Sequence, residues 1–206
     1  MKIEPPNRRL GILLSGRGSN FEAIAANIAS GKLNAEIAVV ISNVEDAPGI
    51  QRARERGLKS LFIPSKKRVR EEFDADVVAA LRENSVGLVV LAGFMRIFSS
   101  VFLEAFPYGI LNIHPALMPA FPGLDVQKKA LEHGVKYSGC TVHLVTSVLD
   151  DGPIVKQAVV PVLDDDTVET LSARILTEEH RIYSEAIDLI LSGRCELVGR
   201  RLLAGK

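Results

Sequence analysis

The chain has 206 residues, of which 47% are hydrophobic and 24% charged, and its 25 Lys and Arg residues balance 25 Asp and Glu residues. This length and composition are typical of one globular domain with a sizeable core, and the neutral balance predicts no general attraction to nucleic acid or to an anionic membrane. The N-terminal stretch MKIEPPNRRLGILLSG holds only a short apolar run, so we expect neither a secretory signal nor a membrane span, but a cytoplasmic protein.

The N-terminal half alternates between apolar runs and amphipathic helical patterns. The runs are short, rich in β-branched residues and nearly continuous, as strands buried on both faces should be. They span residues 10–14, 35–42, 58–64 and 86–92. Helical patterns span residues 20–30, 47–57 and 69–84. Ser19 or Asn20 is the expected N-cap of the first helix, and Phe73, Val77 and Leu81 share one face of the third. Such alternation predicts a parallel sheet with right-handed crossovers.

The second half begins with a further strand pattern, GILNIH at 109–114, and then changes character. Three prolines mark the loop that follows it, at Pro115, Pro119 and Pro122. The later patterns are a helix around 125–133, strands at 138–147 and 153–162 that can pair as a hairpin, and a long helix capped by Thr167 or Asp166 that ends at Gly193. Together the patterns predict an α/β fold, with a mostly parallel sheet of about seven strands and helices on both faces.

We expect one domain over residues 1–206, because the sequence contains no internal repeat, no low-complexity tract and no linker. Its two cysteines, Cys140 and Cys195, lie far apart and lack the spacing of metal ligands. Reduced structural thiols and the absence of a metal site are therefore predicted.

Loops beyond the carboxyl ends of the strands are the candidate sites in such a sheet. SGRGSN, at 15–20, joins the first strand to the first helix, and its glycines permit a tight turn whose amides would face an anion. Its spacing is that of neither the P-loop nor the dinucleotide fingerprint, so a plain turn is an equal alternative. AGFMRIFS, at 92–99, is either an apolar wall for a flat ligand or a helix start packed under the sheet.

Asn112 and His114 lie two residues apart on the strand predicted at 109–114, so both side chains point to the same face. An amide donor beside an imidazole can stabilise an oxyanion and move a proton at one carbonyl. The loop SVLDDGP adds Asp150 and Asp151, either of which can orient the imidazole. The alternatives are a structural histidine and carboxylates that merely solvate a hairpin.

Five segments that occur in order carry a family resemblance: LLSGRGSNFEAI, LAGFMRIFS, LNIHPALMPAFPG, LDDGPIVKQAVVPV and LTEEHRIY. From about residue 9 to 193 the sequence resembles the folate-dependent phosphoribosylglycinamide formyltransferases of purine synthesis, also called glycinamide ribonucleotide transformylases. The Asn-Ile-His-Pro and Leu-Asp-x-Gly-Pro motifs are shared by the wider formyltransferase superfamily, so they indicate the chemistry. SGRGSN and the Glu-His pair favour the ribonucleotide as acceptor.

The resemblance implies a three-layer, Rossmann-like formyltransferase fold with a phosphoribosyl-binding part at 9–106 and a catalytic and folate-binding part at 107–193. The catalytic residues it implies are Asn112, His114 and Asp150. The residues implied for the ribonucleotide are Gly18, Ser19, Asn20 and Glu179. The residues implied for the formyl-folate are Arg70, Met95, Arg96, Ile97, Phe98 and Asn112.

Four details accompany these assignments. Asp150 occupies the Leu-Asp position of the family motif, whereas Asp151 occupies the variable one. His143 matches a position near the site, with a core histidine as the equal alternative. Arg17 departs from the small or amide residue that is usual between the two glycines. A cis peptide bond is implied at Met118–Pro119.

The reaction implied moves a formyl group from the co-substrate 10-formyltetrahydrofolate to the amine of glycinamide ribonucleotide, without a metal or a covalent enzyme intermediate. The expected partners are small molecules, not nucleic acid or membrane, and the expected state is a monomer or weak homodimer.

Two related families compete with this interpretation. Formyltetrahydrofolate hydrolase is expected to add an N-terminal regulatory domain, and methionyl-tRNA formyltransferase a basic C-terminal domain. A sugar-phosphate binding module would leave Asn112, His114 and Asp150 unexplained.

Overall fold

The structure is a computed structural model that describes residues 1–205, and Lys206, the last residue of the predicted domain, lies outside the described residues. Within this range the strands are β1 (Lys2–Ile3), β2 (Arg9–Leu14), β3 (Glu36–Ser42), β4 (Ser60–Phe62), β5 (Leu88–Leu91), β6 (Ile110–His114), β7 (Tyr137–Leu144), β8 (Ile154–Pro161), β9 (Cys195–Val198) and β10 (Arg201–Ala204). The helices are α1 (Ser19–Ala29), α2 (Pro48–Glu55), α3 (Arg70–Glu83), α4 (Ser100–Ala105), α5 (Val126–Glu132) and α6 (Val168–Leu191).

The described strands form one ten-stranded sheet in the order β1-β9-β10-β8-β7-β6-β5-β2-β3-β4. From β4 through β3, β2 and β5 to β6 the pairs are parallel, and β6, β7 and β8 pair antiparallel. The α/β class, the parallel first half and the hairpin of β7 with β8 are therefore confirmed. The expected number of about seven strands was wrong, because β1, β9 and β10 were missed. β1 pairs with β9 across nearly the whole chain, and two to four residues show no readable periodicity.

Helices cover both faces of the sheet, as the sequence predicts. On one face α1 and α6 bury side chains that include Phe21, Ile24, Leu171, Ile175 and Tyr183. On the other face α3 and α4 bury Phe73, Val77, Leu81 and Phe102. Neighbouring residues of β2 point to opposite layers: Ile12 joins the first cluster and Leu13 the second. Full burial of one such side chain stabilises the fold by roughly 1.5–3 kcal/mol.

The start of α1 differs from the prediction in a way that shapes the site. Its N-cap is Gly18, with φ 74°, and no side chain caps the helix, so the expectation of Ser19 or Asn20 as the cap was wrong. Asn20 instead turns inward and donates to the carboxylate of Glu179. The first amides of α1 are thus left without a side-chain acceptor. At α6, by contrast, Thr167 forms the predicted cap.

β6 and β7 bring two histidine-bearing segments side by side. Their antiparallel register pairs Asn112 with His143 and His114 with Thr141. β7 also holds the loop that follows β6, because Thr141 Oγ1 on β7 donates to the carbonyl of Ala116 at 2.7 Å. The Met118–Pro119 peptide bond in this loop is cis, as expected.

Two further findings concern the chain as a whole. Within residues 1–205 no helix combines the length and the apolar character needed to cross a bilayer. Cys140 and Cys195 are buried free thiols, as predicted, and burial raises the pKa of Cys140 to about 12. A thiol with so high a pKa stays protonated and unreactive near neutral pH.

Candidate active site

A cavity of about 560 Å³ lies beyond the carboxyl ends of β5 and β6. Its lining comes from Leu91, residues 93–98, 112–115 and 123–127, His143 and residues 145–150. Much of this wall is apolar, and polar groups enter it from Asn112, His114, His143 and Asp150. An apolar cavity with a few convergent polar groups is typical of a small-molecule site.

Asn112 and His114 both face this cavity from β6, as their spacing predicts. Nδ1 of His114 lies 3.5 Å from Oδ2 of Asp150, and Nε2 lies 2.8 Å from the carbonyl oxygen of Phe121. Because a carbonyl oxygen only accepts hydrogen bonds, Nε2 of His114 carries a hydrogen in this conformation. A doubly protonated ring would therefore find an acceptor at each of its nitrogens.

The turn after β7 separates the two adjacent carboxylates. Asp150 faces His114, whereas Asp151 turns away and binds Arg200 through two hydrogen bonds of 2.8 and 3.0 Å. Asp150 has a φ of 46°, a left-handed conformation that aspartate adopts more readily than most residues. Gly152 is required beside it, because a Cβ there would lie 1.6 Å from the carbonyl oxygen of Leu144. The Leu-Asp-x-Gly-Pro segment thus presses against β7 and holds one carboxylate at the cavity.

His143 joins the same cluster, a point that the sequence left open. Its Nε2 lies 3.1 Å from Nδ2 of Asn112, and its Nδ1 lies 3.1 Å from the carbonyl oxygen of Leu144. The carbonyl places the hydrogen on Nδ1, so Nε2 accepts from Asn112. Burial lowers the pKa of His143, which keeps the ring neutral and able to accept. The orientation of the Asn112 amide is therefore set, and a second Nδ2 hydrogen remains for another acceptor.

The SGRGSN segment forms the turn between β2 and α1. It packs against the start of α2, where the amide of Gly49 donates to the carbonyl of Gly16 at 3.0 Å. Asn20 donates through Nδ2 to Oε2 of Glu179 at 2.7 Å, and both side chains are buried. The segment Gly18-Ser19-Asn20 is thus joined to Glu179 through Asn20, which lies 159 positions away in sequence.

The AGFMRIFS loop is not helical, since α4 begins only at Ser100, and it divides between cavity wall and core. Met95 and Ile97 expose 67% and 55% of their surface and line the cavity, as an apolar wall would. Phe98 also touches the cavity, but it is 8% exposed and stacks on Phe102 with ring centroids 3.9 Å apart. One part of the loop is therefore wall and the other is core.

The two arginines predicted for the folate lie in different places. Arg96 lines the cavity, and its guanidinium carbon lies 5.0 Å from the ring centroid of Phe73. Arg70, the first residue of α3, is exposed and lies outside the cavity lining. The structure therefore brings Met95, Arg96, Ile97 and Phe98 to the cavity, but not Arg70.

Comparison with known families matches residues 8–187 to the family described as Formyl transferase. The chain belongs to the formyl transferase family. A crystal structure of glycinamide ribonucleotide transformylase 1 from Symbiobacterium toebii is similar to this formyl transferase, with 50% sequence identity and a TM-score of 0.95. The match covers 97% of this chain and 95% of that one.

Two named relatives differ in length from each other. Phosphoribosylglycinamide formyltransferase from Escherichia coli (strain K12) is 40% identical over 187 residues, which are 90% of this chain and 88% of that protein. The trifunctional purine biosynthetic protein adenosine-3 from Gallus gallus is 42% identical over 197 residues. That match covers 95% of this formyl transferase and 20% of the trifunctional protein. The chain thus spans about a fifth or less of the trifunctional relatives that it matches.

Burial shifts the pKa values of two neighbours on α6 of this formyl transferase, Glu179 and His180, in opposite directions. It raises the pKa of the Glu179 carboxyl, and the hydrogen bond from Asn20 opposes that shift. It lowers the pKa of His180, whose Nε2 has no hydrogen-bond partner among residues 1–205. The buried Glu179 carboxyl is therefore more readily protonated than an exposed one.

Sequence reasoning missed Gly49 as a support of the SGRGSN loop. Pro48 and Gly49 read simply as the first turn of a helix, and they form it. The contact with the loop is tertiary: a Cβ on Gly49 would lie 3.1 Å from Cα of Gly18 and 3.0 Å from the carbonyl oxygen of Gly16. A glycine that follows proline in a helix start was the one local signal for it.

Proposed function

We propose that this formyl transferase moves the formyl group of 10-formyltetrahydrofolate to the glycinamide amine of N1-(5-phospho-β-D-ribosyl)glycinamide. The products are the N-formyl ribonucleotide and tetrahydrofolate, and the reaction belongs to de novo purine biosynthesis. The observation that carries the proposal is the convergence of Asn112, His114 and Asp150 at one largely apolar cavity. The names of the relatives support the choice of acceptor.

Negative charge develops on the formyl oxygen as the amine nitrogen bonds to the formyl carbon. The second Nδ2 hydrogen of Asn112 can donate to that oxygen, with the amide oriented by His143. The Nε2 hydrogen of His114 is the second donor. It donates to the carbonyl of Phe121 in this conformation, and a formyl oxygen is an acceptor of the same kind that can replace it.

Proton movement completes the transfer. When the tetrahedral adduct collapses, the bond between the formyl carbon and N10 breaks, and N10 leaves with its electron pair and takes up a proton. The attacking nitrogen gives a proton to Nε2 of His114 once that atom has protonated N10, so the ring ends the cycle as it began and the overall proton count is unchanged. We assign the proton given to N10 to His114. Asp150 faces the other ring nitrogen at 3.5 Å, where its carboxylate offsets the positive charge of the doubly protonated ring.

The ribonucleotide is assigned to the Gly18-Ser19-Asn20 segment at the start of α1 and to Glu179 on α6. The amides of Gly18, Ser19 and Asn20 lie at the start of an 11-residue helix without a side-chain cap, which suits a phosphate. The Oδ1 atom of Asn20 is buried and has no partner among the described residues, so it can accept a hydrogen bond from the ligand. Glu179 supplies a carboxylate for the glycinamide end.

The folate is assigned to the wall made by Met95, Ile97 and the neighbouring apolar residues. Arg96 lines the same cavity, whereas Arg70 lies outside it and is assigned to the glutamate tail of a folate that extends beyond the cavity. Part 9–106 would then bind the phosphoribosyl group and part 107–193 would supply the catalytic groups. Both parts line the cavity, so the folate wall is shared between them.

Purified protein tests the proposal directly. Tetrahydrofolate release from 10-formyltetrahydrofolate is followed by absorbance, with and without glycinamide ribonucleotide, and the formylated ribonucleotide is identified by mass spectrometry. Release that depends on the ribonucleotide, with matching product, is expected. Equal release without the ribonucleotide would instead identify a hydrolase, and ribonucleotide binding without any release would identify a binding module.

A further inference from the structure

The loops that follow β5, β2, β3 and β4 are joined by side-chain hydrogen bonds that the proposed reaction does not use. The amide of Met95 donates to Oγ of Ser15 at 2.9 Å, and Oγ of Ser15 donates to Oδ1 of Asn43 at 2.6 Å. Nδ2 of Asn43 donates to Oγ of Ser65 at 3.0 Å. These four strands are consecutive in the sheet, so the hydrogen bonds run across their carboxyl ends in the same order. We call this chain of Met95, Ser15, Asn43 and Ser65 the relay.

The chemistry of each group gives this relay a direction. Nδ2 of Asn43 can only donate, and its contact with Ser65 leaves Oδ1, which can only accept, facing Ser15. The single hydroxyl hydrogen of Ser15 therefore points to Asn43, and its lone pairs are left for the amide of Met95. The backbone amide of Ser15 also donates to the carbonyl of Gly93 at 3.1 Å. Ser15 thus contacts loop 93–98 at two points, through its hydroxyl to the Met95 amide and through its own amide to the Gly93 carbonyl.

We propose that Ser15, oriented by Asn43, is a positioning residue that holds loop 93–98 in the shape that receives the folate. The identity of that ligand rests on the proposed function. Met95 is 67% exposed, so packing holds its side chain weakly and the backbone hydrogen bond to Ser15 determines where it stands in the cavity wall. Ser15 touches the backbone of the loop and acts through it, since Ser15 itself is not among the residues that line the cavity.

Ser15→Ala removes the hydroxyl and leaves the backbone bond to Gly93. Loss of one hydrogen bond of this kind is expected to raise KM for 10-formyltetrahydrofolate about 5- to 10-fold. Turnover and KM for the ribonucleotide should stay within about twofold, because Asn112, His114, Asp150 and the amides of Gly18, Ser19 and Asn20 are untouched. Ser15→Thr keeps a hydroxyl and should restore most of the folate affinity.

Ser192→Ala is the matched control, because its half-buried hydroxyl bonds the carbonyl of Leu189 at the end of α6, away from these loops. Amide hydrogen exchange on the ligand-free proteins tests the hydrogen bond between Ser15 and the Met95 amide without any substrate. The Met95 amide should exchange roughly tenfold faster in Ser15→Ala than in the parent and in Ser192→Ala. Equal exchange in all three proteins, or a lower turnover with KM for the folate unchanged, would overturn the proposal.

The exchange measurement also separates this inference from the proposed function. If the parent protein releases no tetrahydrofolate with the ribonucleotide, the proposed reaction fails. The role of Ser15 is then still tested by the exchange rate of the Met95 amide in the Ser15→Ala variant. If the parent is active but Ser15→Ala matches it in both exchange and folate KM, the relay fails and the reaction stands.

Discussion

Nδ1 of His114 lies 3.5 Å from Oδ2 of Asp150, and only 4% and 8% of the two side chains are exposed. Each side chain also binds the loop that follows β6. His114 donates to the carbonyl of Phe121, and Asp150 accepts from the amide of Gly123 at 2.9 Å. A charge on either group is shielded from water, so each depends on the other for compensation. The pair therefore couples the proposed proton transfer to the loop that borders the cavity.

Asp150→Asn is expected to lower kcat by about 100-fold or more, because the ring of His114 loses the charge that it faces during proton transfer. Tetrahydrofolate binding, measured by calorimetry, should weaken by only about threefold or less, since the side-chain shape is kept. Asp151→Asn is the neighbouring control, because it disturbs only the exposed pair with Arg200. A greater loss of turnover in Asp151→Asn than in Asp150→Asn would reverse the assignment.

Asn112→Ala should lower kcat by roughly 100- to 1000-fold through loss of an oxyanion donor. His143→Leu removes the acceptor that orients this amide, and we expect a smaller loss, about tenfold. If His143 acts through Asn112, the double variant will be no slower than Asn112→Ala alone. Losses that multiply in steady-state assays would show that His143 acts independently.

Glu179→Gln should stabilise the protein at neutral pH while weakening ribonucleotide binding. The folded state raises the pKa of Glu179, so its stabilising contribution is present below the ordinary pKa and is lost as pH rises through the raised value. Glutamine keeps an oxygen for Asn20 without a buried charge, and the melting temperature at pH 7 should rise by about 2–4 °C.

The gain in melting temperature from Glu179→Gln should shrink as the pH falls below the raised pKa. KM for the ribonucleotide should rise about tenfold, because a charged contact to the glycinamide end is lost. Glu178→Gln, next in sequence and paired with Arg181 on the surface, should change neither quantity. A Glu179→Gln protein with the parent's ribonucleotide KM would contradict the proposed contact.

Gly49→Ala should raise KM for the ribonucleotide about tenfold and leave KM for the folate nearly unchanged. The new Cβ would lie 3.0 Å from the carbonyl oxygen of Gly16 and 3.1 Å from Cα of Gly18, so the SGRGSN backbone must shift. Gly109→Ala is a suitable control, since a Cβ there meets its nearest atoms at 3.6 Å. A rise in folate KM alone would place the effect elsewhere.

Local patterns predicted the first half of the fold well, because its strands are buried on both faces and its helices are amphipathic. The helix expected over 69–84 is α3, with Phe73, Val77 and Leu81 all buried. The N-cap of α1 was predicted wrongly, because Asn20 bonds Glu179 instead of the helix start. A capping propensity describes only neighbours in sequence, and here a distant carboxylate competes for the same side chain.

The sequence by itself determined that Asn112 and His114 share a face, since strand alternation requires it, and that a glycine-containing turn precedes α1. The resemblance to formyltransferases, carried by short motifs, supplied their proposed roles. Only the tertiary structure decided that His143 orients Asn112, that Asp151 turns to Arg200, and that Gly49 supports the SGRGSN loop. Each of these contacts joins segments that are far apart in sequence. Sheet register and the crossover connections decide whether such segments meet in space, and no local pattern of residues encodes that.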